Sequence, residues 1–249
     1  MAFVQASFFS PVLRKAVQFW AVVPEQEGSF PALYLLHGLS DDHTIWMRRT
    51  RIEIHASRYR LAVVMPDGFR GYYTDHAAGQ AYGRYILEDV LAGAERLLPL
   101  RRDRKGRCIG GLSMGGYGAL RLALAHPDKF ASAHSHSGAC FAWDIPERRR
   151  DPEFQRIFGS RPAGSEHDLR FLLRRIKRCR LPLPRLSLDC GTEDFLLAQN
   201  RAFHAFLEAR KIPHEYREHP GGHNWDYWEV HIQEALAFHA RALGLKTVG

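Results

Sequence analysis

The feature that most constrains the fold of this 249-residue chain is a G-x-S-x-G motif, in which Ser113 stands between Gly111 and Gly115. A short apolar run precedes the motif, and strong helix formers with apolar periodicity follow it as far as Pro127. The order is therefore strand, tight turn and helix, which places a serine hydroxyl on a strained turn above a sheet. This context predicts that Ser113 is a nucleophile.

Two other glycine-rich turns fit the stretch less well. A phosphate-binding loop needs a lysine after its last glycine, where this chain has Tyr117. A dinucleotide fingerprint needs glycines at G-x-G-x-x-G spacing, and the frames from Gly111 and Gly116 leave the required positions unfilled. The motif is thus interpreted as nucleophilic rather than phosphate-binding.

Strand-like and helical patterns alternate along the chain, which predicts one α/β domain over residues 1–249 with a doubly wound, mostly parallel sheet and helices on both faces. The 45% hydrophobic content is enough to fill the core of such a domain. Residues 140–184 interrupt the alternation with charges and prolines, and they predict a cap-like excursion over the sheet. The predicted strands cover residues 12–23, 33–36, 61–65, 107–109, 130–137, 186–190 and 213–218, and the predicted helices cover residues 85–98, 117–124, 168–177, 199–210 and 225–242.

Composition narrows the class of protein. The net charge of +8 comes with basic clusters that are not interleaved with aromatic residues, so nucleic-acid binding is not expected, although attraction for anionic substrates stays open. The four scattered cysteines lack metal-binding spacing and fit a reducing compartment. No signal peptide or membrane-spanning run is recognised, so we expect a cytoplasmic protein.

A serine nucleophile requires a histidine to take its proton and a carboxylate to orient that histidine, and after a G-x-S-x-G turn these partners follow in the order acid, then histidine. Asp194 lies just past the 186–190 strand and His223 lies in a glycine-rich loop after the last strand. The competing acids are Asp189, which lies within the strand, the neighbouring Glu193, and Asp226. We predict the triad Ser113, Asp194 and His223.

Other histidines are weaker candidates for the base, because His214 and His219 border a strand and His231 and His239 lie on the last predicted helix. Paired histidines also raise the question of a metal. His134 and His136 alternate on one strand, and His219 and His223 are closely spaced. The sequence provides neither pair with an obvious third ligand, so no metal site is predicted.

The oxyanion that forms during acyl transfer needs hydrogen-bond donors. The backbone amide of Met114, at the helix start, and that of Leu39, in the loop after the 33–36 strand, are the predicted donors. His37 is expected to hold that loop by hydrogen bonds. Tyr72, Tyr73 and the 140–184 excursion are candidate walls of the substrate pocket, with simple packing over the sheet as the alternative.

With these residues in view, the chain resembles the esterase D family of α/β-hydrolases. The resemblance rests on seven segments in this order: YLLHGL at 34–39, MPDG at 65–68, YTD at 73–75, GLSMGGYGAL at 111–120, SGA at 137–139, CGTEDFL at 190–196 and GGHNWDYW at 221–228. It implies an α/β-hydrolase fold, with Ser113, Asp194 and His223 as the triad and Leu39 and Met114 as oxyanion donors. Within the family the chain looks most like the tributyrin esterases, which act on short-chain acyl esters.

The expected activity is therefore that of a serine carboxylesterase that hydrolyses short-chain acyl esters without a cofactor. A thioesterase of the S-formylglutathione hydrolase type is one alternative, although such enzymes carry a cysteine shortly after the His-Gly-Leu turn where this chain has Ser40, Asp41 and Asp42. An acetyl or feruloyl carbohydrate esterase and a non-catalytic binding protein are the others. The partner is expected to be a small-molecule ester, and a homo-oligomer is left open.

Overall fold

The computed structural model describes residues 1–146 and 148–247, so three residues of the predicted domain, 147, 248 and 249, lie outside it. Eight strands form one sheet in the order β1-β2-β4-β3-β5-β6-β7-β8. The strands are β1 (Ala2–Ser10), β2 (Lys15–Val23), β3 (Ala32–Leu36), β4 (Ala62–Pro66), β5 (Arg107–Leu112), β6 (Ser132–His136), β7 (Arg185–Gly191) and β8 (Glu215–His219).

The sheet is mostly parallel. The pairs β1-β2 and β2-β4 are antiparallel, and every pairing from β4 through β3, β5, β6 and β7 to β8 is parallel. Parallel neighbours need crossover connections that return over a face of the sheet, and helices make them here. The predicted doubly wound α/β-hydrolase fold is confirmed.

Helices occupy the connections between the strands. They are α1 (Ile45–Arg49), α2 (Ile52–Ser57), α3 (Tyr82–Arg84), α4 (Leu91–Leu97), α5 (Met114–Ala125), α6 (Pro152–Phe158), α7 (Leu169–Cys179), α8 (Leu197–Ala209) and α9 (Trp225–Leu243). A π-helical segment, Tyr85–Val90, joins α3 to α4, so the helix predicted over 85–98 begins a turn earlier and is wider in its middle.

The strand β3 shows how the core is divided by the sheet. Side chains of successive strand residues point to opposite faces. Tyr34 and Leu36 accordingly pack in a cluster with α5 and α7, whereas Leu33 and Leu35 pack in a second cluster with α2 and α9. Because both faces are covered, all five residues of this strand are buried and its sequence is apolar throughout.

Several elements differ from the sequence-based prediction, which included neither α1 nor α2. The predicted strand at 12–23 begins only at Lys15, because a tight turn joins it to a first strand, β1, over a segment for which no structure was predicted. In the excursion, α6 was missed. It is a short helix with Asp151 as its N-cap and Pro152 as its first residue. Both residue types are sequence signals for the start of a helix.

No helix among residues 1–146 and 148–247 has the length and hydropathy that crossing a bilayer would require.

Candidate active site

Ser113 occupies the tight turn between β5 and α5 with φ 54° and ψ −114°, a conformation that L-residues rarely adopt. Its amide donates to the His136 carbonyl at 2.9 Å, and its own carbonyl accepts from the Ala139 amide at 3.0 Å. Both bonds reach over to the neighbouring strand β6 and the loop after it. The strained serine is thus fixed by backbone hydrogen bonds.

Glycines make this turn sterically possible. A Cβ on Gly111 would lie 2.7 Å from the Gly115 carbonyl oxygen, and a Cβ on Gly115 would lie 2.5 Å from the Leu36 carbonyl oxygen. Both distances are far below van der Waals contact. The start of α5 can therefore pack this closely on β5 and β3 only because both residues are glycines without a side chain. The G-x-S-x-G pattern is therefore explained by close backbone approach.

The structure brings Ser113, His223 and Asp194 together. The Nε2 atom of His223 lies 3.0 Å from Oγ of Ser113, and its Nδ1 atom lies 2.8 Å from Oδ2 of Asp194. The other carboxylate oxygen of Asp194 accepts from the Leu196 amide at 2.8 Å. Because the ionised Asp194 can only accept a hydrogen bond, the imidazole of His223 carries its proton on Nδ1. Its Nε2 atom therefore presents a lone pair to the Ser113 hydroxyl.

Burial of the Asp194 carboxyl would raise its pKa, but the hydrogen bonds from His223 and from the Leu196 amide outweigh this effect. The pKa of Asp194 is consequently lowered below its ordinary value, and the group stays ionised through the neutral range. A fixed negative charge beside Nδ1 stabilises the imidazolium that would form when the histidine takes a proton.

The loops that carry Asp194 and His223 are tied together. The Thr192 amide donates to the His219 carbonyl at 2.8 Å, and the Glu193 amide donates to the Gly221 carbonyl at 3.0 Å. Gly191 allows this approach, because a Cβ on it would lie 2.1 Å from the Gly221 carbonyl oxygen. The acid and the histidine are thus held by one backbone network rather than by two independent loops.

The remaining acids and histidines considered from the sequence lie elsewhere. Glu193 and Asp226 are exposed, and Asp189 lies buried in β7. His214 contacts His204, a residue of α8, at 2.8 Å. His231 and His239 are buried on α9, on the face turned toward the sheet.

The predicted oxyanion donors lie at the same edge of the sheet as the serine. Met114 is the first residue of α5, and Leu39 follows β3 and, with Ser113, lines one cavity. The loop that carries Leu39 is held by His37, whose Nε2 accepts from the Gly68 amide at 2.8 Å and whose Nδ1 lies 2.8 Å from the Gly38 carbonyl oxygen. His37 therefore has the structural surroundings that the sequence suggested.

The cavity in front of Ser113, here called the serine cavity, has a volume of about 450 Å³. Phe195 and Trp228 flank His223, with ring centroids 4.5 and 4.9 Å from the imidazole. Tyr72 lines the cavity, but Tyr73 does not. The Tyr73 ring is buried behind it and its hydroxyl donates to the His37 carbonyl at 3.0 Å. Of the two tyrosines considered as pocket walls, Tyr72 therefore lines the cavity and Tyr73 packs beneath it.

Arg148 also lines the serine cavity, although nothing in the sequence distinguished it from the other members of a basic run that was interpreted as a solvated surface. Among the described residues of the 140–184 excursion, it is the one that lines this cavity. Only the fold of the excursion, which returns over Tyr72, reveals this position. Trp225, Trp228 and Phe195 were likewise not predicted as lining residues.

Beneath the serine turn lies a buried polar cluster of His134, His136 and Asp189. Oδ2 of Asp189 lies 2.8 Å from Nε2 of His134 and 2.7 Å from Nδ1 of His136, and Oδ1 accepts from the Tyr227 hydroxyl at 2.9 Å. Although burial would raise the pKa of Asp189, the two histidines lower it strongly. Burial and repulsion from His136 lower the pKa of His134 to about 4, so this ring is neutral at pH 7.

The sequence-based argument that no third ligand joins the histidine pairs is wrong for His134 and His136. Asp189 joins His134 and His136, and His219 lies with His231 and Glu234 rather than with His223. A third group is His204, Glu208 and His214. In each group the side-chain ligand atoms lie within 4.8 Å of one another. In the first group both carboxylate oxygens already accept hydrogen bonds, whereas Nδ1 of His134 and Nε2 of His136 have no partner among the described residues.

Comparison with known proteins places this geometry in context. The family model described as "Putative esterase" matches residues 10–239. An acetyl esterase of Caldicellulosiruptor saccharolyticus is 30% identical over 258 residues, covering 95% of this chain and 97% of that protein.

Solved structures give the same picture. A fluorophosphonate-binding serine hydrolase of Staphylococcus aureus, with substrate bound, superposes with a TM-score of 0.89 at 32% identity. An S-formylglutathione hydrolase of the same organism superposes with a TM-score of 0.87 at 32% identity. Each likeness covers 96% of this chain and 98% of the other chain, so it extends over the sheet, the serine turn and the excursion alike.

Proposed function

Because this chain belongs to the esterase family that its sequence matches over residues 10–239, we propose that it is a carboxylesterase for short-chain acyl esters. It is a serine hydrolase of the α/β-hydrolase fold, and its proposed catalytic residues are Ser113 as nucleophile, His223 as general base and Asp194 as the acid. The observation that carries the assignment is the continuous line of hydrogen bonds from Ser113 through His223 to Asp194.

In the first half of the reaction, Oγ of Ser113 attacks the ester carbonyl carbon while its proton passes to Nε2 of His223. The carbonyl electron pair moves onto oxygen and forms a tetrahedral intermediate. When that intermediate collapses, the bond to the alcohol oxygen breaks, and the leaving oxygen takes the proton from His223. The products of this half are the free alcohol and an acyl group on Ser113.

In the second half, water takes the place of the alcohol. His223 accepts a proton from the water as its oxygen attacks the acyl carbon, and it then returns that proton to Oγ of Ser113 as the acid departs. Asp194 remains ionised throughout, because its role is to hold the tautomer of His223 and to stabilise the imidazolium. No cofactor enters either half.

The amides of Leu39 and Met114 are the proposed donors to the negative oxygen in both tetrahedral intermediates. A backbone donor of this kind typically contributes about 3 kcal/mol to the stabilisation of the transition state. Two observations support the proposal: Met114 is the first residue of the helix after Ser113, and Leu39 lines the serine cavity.

Short acyl chains are proposed because the serine cavity is modest in volume and is lined by large side chains, among them Tyr72 and Trp228. We further propose that the chain acts as a single domain in which the excursion at 140–184 forms a wall of the site, as the position of Arg148 suggests. The free cysteines, three of them buried, fit the proposed cytoplasmic location.

A thioesterase of the S-formylglutathione hydrolase type is the second candidate. The structural likeness to such a hydrolase at 32% identity favours it. The triad chemistry is identical for a thioester, with the sulfur as leaving atom, so the structure of the triad does not separate the two activities. The ratio of kcat/KM on S-formylglutathione to that on short-chain esters does.

The first experiment measures hydrolysis of para-nitrophenyl acetate, butyrate and octanoate by the wild type and by Ser113→Ala. A serine-dependent rate that falls sharply at octanoate is expected. Mass spectrometry after treatment with a fluorophosphonate should find one adduct on Ser113, and none in the variant. Wild-type rates no faster than those of Ser113→Ala on every ester would reject the carboxylesterase assignment.

A further inference from the structure

The excursion lines a second, open cavity, here called the cap cavity, with a volume of about 580 Å³. Its apolar side is formed by Trp143, Phe154 and Phe158, and its polar side includes Arg148, Arg149 and Arg161. Aromatic walls with a few convergent charges are typical of a binding site for a small organic molecule. The proposed ester chemistry at Ser113 does not by itself account for this space.

Arg148 lines both the cap cavity and the serine cavity, so the two meet at this side chain. Its Nη1 atom donates to the Tyr72 hydroxyl at 3.0 Å, and its guanidinium carbon lies 4.9 Å from the centroid of the Phe154 ring. Tyr72 in turn packs edge-on against Phe154 and Phe158, with centroids 5.3 and 5.2 Å away. The boundary between the cavities is therefore a packed aromatic wall that carries one cation.

Among the described residues, this cation has no carboxylate partner. Within residues 1–146 and 148–247, no carboxylate lies within 4.0 Å of the Arg148 guanidinium, and the Tyr72 hydroxyl is the one acceptor of its side-chain hydrogen bonds. A guanidinium offers five N–H donors in a planar fork that matches a carboxylate or phosphate. Arg148 is half-buried, so solvent screens its charge less than that of a surface arginine.

The neighbouring charges leave Arg148 available. Asp144 in the cap cavity is already paired with Arg149, and Glu153 on α6 is paired with Arg70 at 2.7 Å. Asp41 lines the serine cavity and would repel an anion placed on its side. An anion at the boundary is therefore favoured on the side that faces the cap cavity.

We propose that the cap cavity binds a distal part of the ester substrate that has an apolar body and an anionic group, and that this group pairs with Arg148. This inference rests on the proposed esterase function and adds to it a class of substrate, an ester that carries a carboxylate or a phosphate. The aromatic residues hold the apolar body, Arg148 holds the anion, and the ester carbonyl reaches Ser113 across the boundary.

The test uses pairs of esters that differ only in charge. One arm places the charge on the acyl side, with the para-nitrophenyl ester of adipate compared with that of adipate monoamide. The other places it on the alcohol side, with the acetyl ester of hydroxyphenylpropionate compared with that of its amide. In at least one arm, kcat/KM for the anionic ester is expected to exceed that for its neutral partner by roughly tenfold or more, since a charge-assisted hydrogen bond is gained.

The same ratio is then measured in three variants. Arg148→Gln should bring the ratio of anionic to neutral kcat/KM close to one, Arg148→Lys should keep part of it, and Arg150→Gln should leave it as in the wild type. Arg150 is the matched control because it is an exposed arginine two residues away that lines neither cavity. Since each ratio is taken within one variant, a general loss of folded protein cancels.

The outcomes separate this inference from the function on which it rests. If the wild type hydrolyses the neutral esters in a Ser113-dependent way but prefers the anionic partner in neither arm, the anion site is rejected and the esterase function stands. A preference that survives Arg148→Gln also rejects it. If no ester in either arm is hydrolysed in a Ser113-dependent way, the proposed function and the inference fail together.

Discussion

Gly115 lies directly against Leu36, and a methyl group on the Gly115 Cα would come within 2.5 Å of the Leu36 carbonyl oxygen. This contact sets how closely the helix after Ser113 approaches the central strand. The atom that would have to yield is backbone in the middle of a buried sheet, so it cannot move aside cheaply.

Gly115→Ala is therefore expected to lower the free energy of unfolding by about 2 to 3 kcal/mol, a cost typical of overpacking, and to reduce esterase activity by displacing Ser113. Urea-induced unfolding followed by circular dichroism measures the first effect. Gly93→Ala is the matched control in another buried helical position. A Cβ there would lie 3.4 Å from the Phe8 ring, an ordinary contact, and the gain in helix propensity should make the change neutral or mildly stabilising. Equal losses in the two variants would contradict the steric argument.

The pairing of Asp194 with His223 predicts a large and specific loss on amide substitution. In Asp194→Asn an amide N–H can donate to Nδ1, which moves the imidazole proton to Nε2 and leaves no lone pair for Ser113. The expected fall in kcat is about ten-thousandfold. Glu193→Gln, the same chemical change at the exposed neighbouring residue, should keep activity within about twofold of the wild type. Comparable losses in both variants would remove the assignment of Asp194.

His167 predicts how stability depends on pH in the acid range. Burial, followed by the nearby charge of Arg121, lowers the pKa of this ring from 6.5 to about 4 in the folded protein. Between these values the unfolded chain binds a proton at this position that the folded chain does not bind. Stability is therefore lost as the pH falls from 6.5 to 4, by up to roughly 3 kcal/mol from this residue.

The check compares His167→Gln with the wild type in urea titrations at several pH values across that window. Gln has no titrating group, so the variant should show a shallower loss of unfolding free energy on acidification, whatever its stability at pH 7. Parallel curves for the two proteins would show that His167 does not contribute to the pH dependence.

The four cysteines should differ sharply in reactivity. Cys108, Cys140 and Cys190 are buried and Cys179 is exposed at the end of α7. Burial raises the pKa of Cys140 to about 12 and raises those of Cys108 and Cys190 as well, so their thiolates are scarce. Brief treatment of the native protein with iodoacetamide should add one alkyl group by mass spectrometry. Cys179→Ser should add none, and either protein should react at every cysteine once unfolded. More than one adduct on the native wild type would contradict this burial pattern.

Much of the fold could be predicted from the sequence because parallel strands covered on both faces are apolar throughout, as residues 32–36 illustrate. The strand β1 could not be predicted in this way. It lies at the edge of the sheet, and its side chains alternate only between exposed and half-buried along most of its length. An edge strand is defined by its partner, here β2, and that pairing has no local signature beyond the turn between the two. The helix α6 did carry local signals, but its short length hid them.

The same distinction applies to the site. Ser113, Asp194 and His223 could be proposed because each follows a strand in a fixed order, which is local information combined with topology. The carboxylates that complete the histidine clusters could not be predicted from the sequence. Asp189, for example, contacts His134 and His136 only because the neighbouring strands β6 and β7 pair in this register. Arg148 was missed for a similar reason. Its position beside Tyr72 depends on how the whole excursion folds back over the sheet.

The order in which the strands enter the sheet has a consequence during synthesis. Ser113 follows β5 near the middle of the chain, whereas His223 follows β8, the last strand, in a segment whose His219 and Gly221 carbonyls bond to the loop after β7. When the serine turn leaves the ribosome during synthesis, the segment that carries the proposed base has therefore not yet been made. On the proposed triad, Ser113 would therefore gain its base only when the carboxyl-terminal strand has joined the edge of the sheet.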